Sequence, residues 1–127
     1  MPRRTILVID DHDDLRRTLD EKLTAAGYRV VTVASGHEAS QAFAREKPDL
    51  VLTDLLMPDQ DGLQAVGELR QFKADVPVIA MAGGGRAPAG FYAKLADALG
   101  ARTILEKPFS NEQLLTTVAL ALPEASG

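Results

Sequence analysis

Four charged residues of this chain each stand at the end of an apolar run. Ile6-Leu7-Val8-Ile9 runs into Asp10-Asp11, Leu50-Val51-Leu52 reaches Asp54 through Thr53, and Thr103-Ile104-Leu105 leads through Glu106 to Lys107. Short apolar runs bounded by turn residues read as buried parallel strands. The turn Pro58-Asp59-Gln60-Asp61-Gly62 punctuates the third of them. Open α/β sheets hold ligands outside the carboxyl ends of their strands, so three carboxylates are expected to converge there. Like charges that close repel unless a cation compensates. Mg²⁺ suits a site of carboxylates, waters and a phosphate, and Lys107 supplies a second positive charge. A carboxylate can act as a nucleophile toward phosphorus and become an aspartyl-phosphate, with positioned cations stabilising the charge in transfer. Asp54 is therefore read as a phosphoryl acceptor and Lys107 as its cationic partner. Asp11 is read as a direct metal ligand and Asp10 as a direct or water-mediated one, with the main-chain carbonyl of Leu56 as a further ligand. An aspartate at a strand end is as readily a helix cap, which is how Asp13 and Asp14 are read, and a lone Lys-Pro is usually a turn. The signal lies in the combination.

The elements that position these residues alternate. After the first strand, helical spacing at Leu15, Leu19, Leu23 and Ala26 is closed by Gly27 as a C-terminal cap. Val30 to Val33 is the second strand, and Ser35 with Glu38 forms a capping-box pair opening a helix with Ala39, Ala42 and Phe43 inward. Gly62 begins a third helix with Leu63, Val66 and Leu69 on one face. Val76 to Met81 is the fourth strand, entered through Pro77, and Gly83-Gly84-Gly85-Arg86 is a loop. Phe91, Leu95 and Leu99 line a fourth helix ended by Gly100. Ser110 with Gln113 caps a fifth helix with Leu114, Leu115, Val118 and Leu122 inward, and the tail from about 123 is expected to fray. Five strands alternating with five helices imply an α/β, flavodoxin-like, doubly wound parallel sheet in the order 2-1-3-4-5.

At 127 residues the chain suits one domain spanning 1–127. Apolar content of 46% and charged content of 25% are those of a soluble globular protein. A net charge of −4 without a block of like charge argues against nucleic acid or an anionic membrane as a direct partner. Cysteine is absent, which removes disulfides and thiolate metal sites and fits a cytoplasmic protein. The apolar run after the basic start is too short for a signal or transmembrane segment.

These residues together resemble the receiver domain of two-component response regulators. Ile6 to Asp11 is similar to that family's first strand and acidic pair, Asp54 through Met57-Pro58 to Asp61-Gly62 to its phospho-acceptor motif, and Lys107-Pro108-Phe109 to its lysine motif, whose Lys-Pro bond is typically cis. The resemblance covers essentially the whole chain. It implies Mg²⁺ as cofactor, phosphotransfer from a histidine kinase or histidine phosphotransfer protein, and signalling to a downstream protein through the fourth helix, fifth strand and fifth helix. It implies no enzyme beyond catalysis of the chain's own phosphorylation and dephosphorylation. Two positions depart from the family. The hydroxyl usual at the end of the fourth strand is replaced by Ala82, and the aromatic usual three residues before the lysine by Ile104, so the switch is expected to be atypical. Gly83, Gly84 and Gly85 offer a replacement, a loop closing on the phosphoryl group through main-chain donors, against the simpler reading of a flexible loop. Tyr92 is expected on the output face and Phe91 in the core. His37 is read as solvated, and so is His12, with metal ligation as its alternative because it follows the acidic pair.

Three other classes are weighed. A phosphorylation-independent, receiver-like interaction module is favoured by Ala82 and Ile104 and opposed by the complete set of Asp10, Asp11, Asp54 and Lys107. A flavin-binding protein of the same topology is weakened by the absence of Trp and by carboxylates where its phosphate would sit. An aspartyl-phosphate phosphatase needs an Asp-x-Asp spacing that the adjacent Asp10-Asp11 does not match.

Overall fold

The apolar runs become strands because each is β-branched or leucine-rich and can be buried on both faces. In a computed structural model, residues 3–54, 75–83 and 103–122 are described, together with Gln71 and Asp97. Five strands, β1 (Thr5–Ile9), β2 (Arg29–Val33), β3 (Leu50–Asp54), β4 (Val78–Gly83) and β5 (Thr103–Lys107), form one sheet in the order β2-β1-β3-β4-β5. Every neighbouring pair is parallel. This is the flavodoxin-like order expected. Three helices are described, α1 (Asp13–Ala25), α2 (Gly36–Glu46) and α3 (Asn111–Ala121); α3 is the helix expected after Ser110. The helices expected after Gly62 and around Phe91 to Leu99, with Tyr92 on the latter, and the tail from 123 lie outside the described residues.

The alternation of a strand sorts the core into two layers. On one face Leu7, Ile9, Val51, Val78 and Ala80 pack with Ala39, Ala42 and Phe43 of α2. On the other, Ile6, Val8, Leu50, Leu52, Ile79, Met81 and Leu105 pack with Leu19 and Leu23 of α1 and Leu114, Val118 and Ala121 of α3. Burying one such aliphatic side chain stabilises by roughly 1.5–3 kcal/mol, which lets the sheet carry charged residues at its rim.

Local chemistry sets the ends of the elements. Asp49 holds the start of β1, its Oδ2 accepting from the Thr5 N–H at 2.8 Å while its own N–H donates to the Thr5 carbonyl at 2.7 Å. That bracket sets the β1–β3 register, Ile6 opposite Leu50. Gly27 follows α1 at φ +101°, the left-handed conformation a helix-ending glycine accepts without a Cβ clash. Ala26, placed by its spacing with the inward residues, is the exposed C-cap. Ser35 caps α2 by accepting from the Glu38 N–H at 3.4 Å, but Glu38 Oε2 accepts from the Ala34 N–H, not from that of Ser35. The reciprocal half of the capping box is thus shifted by one residue. In α3 the box is complete, Ser110 and Gln113 each accepting from the other's backbone.

Two boundaries differ from expectation. The N-cap of α1 is His12, with no side-chain capping bond, and Asp13 and Asp14 lie inside the first turn, where negative charge meets the positive end of the helix dipole. The fourth strand starts at Val78, because Pro77 has no N–H for the ladder and contributes only its carbonyl, to the Val51 N–H at 3.0 Å. It then runs on through Ala82 and Gly83, so Gly83, expected to open a loop, belongs to β4, opposite Lys107.

Candidate functional site

The site follows from the period of two. Asp10 continues the face of Ile6 and Val8, Asp54 that of Leu50 and Leu52, and Lys107 that of Leu105, so the extended strands deliver all three toward the α1 and α3 side at their carboxyl ends. Ile9 pairs with Thr53 across β1 and β3, which places Asp10 and Asp54 side by side. Asp10 is fully buried and Asp54 nearly so. Lys107, two strands from Asp54 and three from Asp10, resolves their repulsion. Its Nζ donates to Asp54 Oδ2 at 2.8 Å and to Asp10 Oδ2 at 3.2 Å. Charge-assisted bonds of this kind are about twice as strong as neutral ones. Burial alone would lower the Lys107 pKa; the hydrogen bond to Asp54 and the charges of Asp54 and Asp10 outweigh it and hold the ammonium above its ordinary 10.5. The Lys107-Pro108 peptide bond is cis, as the resemblance implies.

Asp10 also organises the turn into α1. Its Oδ1 accepts from the His12 N–H at 2.8 Å, an Asx-type turn, and Arg16 Nη1 donates to its carbonyl at 2.8 Å while Arg16 Nη2 pairs with Asp13. The turn brings the His12 Nδ1 to 3.2 Å from both Asp10 Oδ1 and Asp11 Oδ1. Asp10, Asp11, His12 and Asp54 each offer one ligand atom, all within 4.8 Å of one another.

Mg²⁺, the cation expected here, is tested by two features. The donor set is dominated by hard carboxylate oxygens, which suit it. Asp11 Oδ1 is buried without a hydrogen-bond partner, a state that costs about 1–3 kcal/mol and that a coordinated cation removes. The residues fit the ion.

The structure thus brings together Asp10, Asp11, Asp54 and Lys107. Leu56 lies outside the described residues, as do Gly84 and Gly85. Ala82 stands opposite Glu106 in the β4–β5 ladder. Ile104 is half-buried and packs against the layer that faces α2. His37 is exposed in the first turn of α2, as read from the sequence. His12 is exposed, as read from the sequence, although its ring nitrogen reaches the acidic pair; the contacts of Arg16 were not anticipated. The signals were there in Asp10-x-His12, an Asx-turn spacing, and in the helical i,i+3 pair Asp13 and Arg16.

Known proteins point the same way. The family model described as "Response regulator receiver domain" matches residues 6–119. "Probable transcriptional regulator ycf27" of Porphyridium aerugineum is 40% identical over 119 residues, covering 90% of this chain and 46% of its own length. "C4-dicarboxylate transport transcriptional regulatory protein DctD" of Pseudomonas aeruginosa is 36% identical over 117 residues, covering 92% of this chain and 25% of its own length. The chain therefore spans less than half of these curated relatives. Among solved structures, the chemotaxis protein CheY4 of Vibrio cholerae aligns with a TM-score of 0.86 and 28% identity, over 95% of this chain and 100% of that one. Among the described residues, no helix is long and apolar enough to cross a membrane.

Proposed function

The chain belongs to the response regulator receiver domain family, the signalling module of two-component systems, and from that membership we propose that Asp54 is its phosphoryl acceptor. The observation that carries this reading is the Lys107 ammonium bridging Asp54 and Asp10 at the carboxyl end of the sheet. A carboxylate oxygen of Asp54 forms the bond to phosphorus as the bond from phosphorus to the donor breaks, the departing atom keeping the electron pair. The donor is the phosphorylated imidazole of a histidine kinase or histidine phosphotransfer protein; acetyl phosphate, which loses acetate, is its small-molecule surrogate. Lys107 orients the acceptor and provides positive charge for the phosphoryl oxygens. Asp10 and Asp11, with the main-chain carbonyl of Leu56, would hold Mg²⁺. When bound, that ion supplies the charge neutralisation that phosphoryl transfer requires.

The chain is a signalling module that catalyses at most its own phosphorylation and dephosphorylation. Its proposed setting is the cytoplasm, in keeping with a chain without cysteine. Two relatives are named as transcriptional regulators, but the net charge of −4 argues that this segment signals through protein contacts and not on nucleic acid. The output switch is proposed to be atypical, since Ala82 and Ile104 provide neither a hydroxyl nor an aromatic ring.

Those same two residues favour a second reading, a phosphorylation-independent interaction module. Intact-mass measurement after incubation with acetyl phosphate and Mg²⁺ separates the two. A single phosphoryl adduct, lost in Asp54→Ala and without Mg²⁺, is the expected result. No adduct, together with no binding of beryllofluoride, would leave only the second reading.

A further inference from the structure

Among the described residues, His12 is the one imidazole drawn into an otherwise carboxylate cluster. Its Nδ1 stands 3.2 Å from Asp10 Oδ1 and 3.2 Å from Asp11 Oδ1. Whatever the protonation of the ring, at most one proton sits on Nδ1, and it can serve only one of two oxygens. The hydrogen bond goes to Asp10, and Asp11 Oδ1 is left buried with no partner. Three electron-pair donors thus lie within 4.8 Å of one another, with the His12 N–H on Asp10 and at most one ring proton between them. A metal ion among them accepts from all three. The spacing matches: neighbouring donors on an octahedral ion with bonds of about 2.1 Å lie about 3.0 Å apart, and opposite donors about 4.2 Å. The observed separations of 3.2 Å and the 4.8 Å limit on the whole group are those of a cage slightly open before the ion draws it in. The backbone fixes His12 in place, since its N–H is bonded to Asp10 Oδ1 at 2.8 Å.

We propose that His12 Nδ1 is a fourth side-chain ligand of the acidic site, turning an oxygen site for Mg²⁺ into a mixed nitrogen–oxygen site that also takes a first-row transition ion. This rests on the acidic cluster being the cation site of the proposed receiver chemistry. Imidazole suits the later first-row divalent ions, whereas Mg²⁺ prefers carboxylate, carbonyl and water. The ring contributes its lone pair as the neutral tautomer, with the proton on Nε2.

The test titrates the metal-free full chain calorimetrically with Mg²⁺ and with Co²⁺, and follows imidazole NMR signals with Co²⁺ bound. His12→Ala is expected to weaken Co²⁺ binding about tenfold or more and Mg²⁺ binding less than about threefold. The Co²⁺-shifted ring N–H signal is expected to vanish in His12→Ala and to persist in His37→Ala. If Asp11→Asn abolishes Mg²⁺ binding while His12→Ala weakens both ions alike and no shifted ring signal exists, His12 is not a ligand and the acidic site stands. If Asp11→Asn and Asp54→Asn leave Mg²⁺ binding intact, the site itself is wrong and the inference falls with it.

Discussion

The Lys107 ammonium lies 2.8 Å from Asp54 Oδ2, although β4 stands between their two strands. The lysine stem crosses a whole strand to reach the carboxylate, and the contact ties the edge strand of the sheet to its centre. Because it neutralises a buried aspartate, it serves stability as well as the proposed phosphoryl transfer.

Replacing Lys107 with Met therefore acts on both. Breaking one side of a fully buried ion pair costs about 3–5 kcal/mol; Lys107 is 22% exposed, and solvent screening reduces the expected loss to about 1–3 kcal/mol. Urea unfolding without divalent cations measures it, and the rate of modification by acetyl phosphate should fall in the same variant.

The pH dependence of that loss has a definite sign. The folded-state pKa of Lys107 lies above 10.5, so the folded state holds this proton more tightly than the unfolded one. Its contribution is complete below the unfolded value and disappears as pH rises through the folded one. The stability gap between the parent and Lys107→Met should stay level from neutral pH to about pH 10 and close above it. A gap that closes near neutral pH would show that another group governs it.

Asp11→Asn removes one of three clustered negative charges and lets the side-chain amide donate. Without divalent cations it should raise the unfolding midpoint by roughly 2–4 °C, a gain of about 0.5–1 kcal/mol. Mg²⁺ at about 100 times its dissociation constant should stabilise the parent by about 2.7 kcal/mol and the variant by far less. Calorimetric scans with and without Mg²⁺ read both, and a variant less stable than the parent in both would contradict the repulsion argument.

The helix ends should respond in opposite directions. Ser110→Ala removes half of a complete capping box and should cost about 1 kcal/mol, with faster amide exchange in the first turn of α3. Lys47→Gly at the end of α2 relieves a left-handed non-glycine residue, φ 50°, and should gain up to about 1 kcal/mol.

In the core, Leu52→Ala should cost about 2–5 kcal/mol, because the side chain is fully buried and the surroundings of such a cavity relax only in part. Leu120 is 80% exposed, so Leu120→Glu should change stability by less than about 0.5 kcal/mol.

Strand identity was readable from the sequence because buried parallel strands are continuous apolar runs, and β1, β3 and β5 each run into a residue too polar to extend the core. Asp10, Asp11, Asp54 and Lys107 could be placed at one mouth on that ground alone. The Lys107 to Asp54 bond could not, since it joins residues 53 positions apart and depends on how far a flexible side chain reaches across β4. The start of β4 was misplaced because hydrophobicity begins at Val76, whereas hydrogen bonding waits for the first residue after Pro77 that has an N–H. The closeness of the His12 ring to the acidic pair has a related cause. Its side chain is solvent-exposed, as its type suggests, and the turn closed by the Asp10 carboxylate carries its Nδ1 back toward the cluster.

The arrangement of Asp10, Asp54 and Lys107 on one face depends on counting in twos, and this makes the site unequally sensitive to insertions and deletions. Deleting one residue within β1, β3 or β5 would swing the terminal charge through the sheet into the apolar layer packed on α2. Deleting two would keep the charge on its own side but draw it back by roughly 6.6 Å, out of reach of its partners. Lineages that vary this chain in length are therefore expected to do so in the connections between strands, where the reading frame of the two faces is reset at every turn.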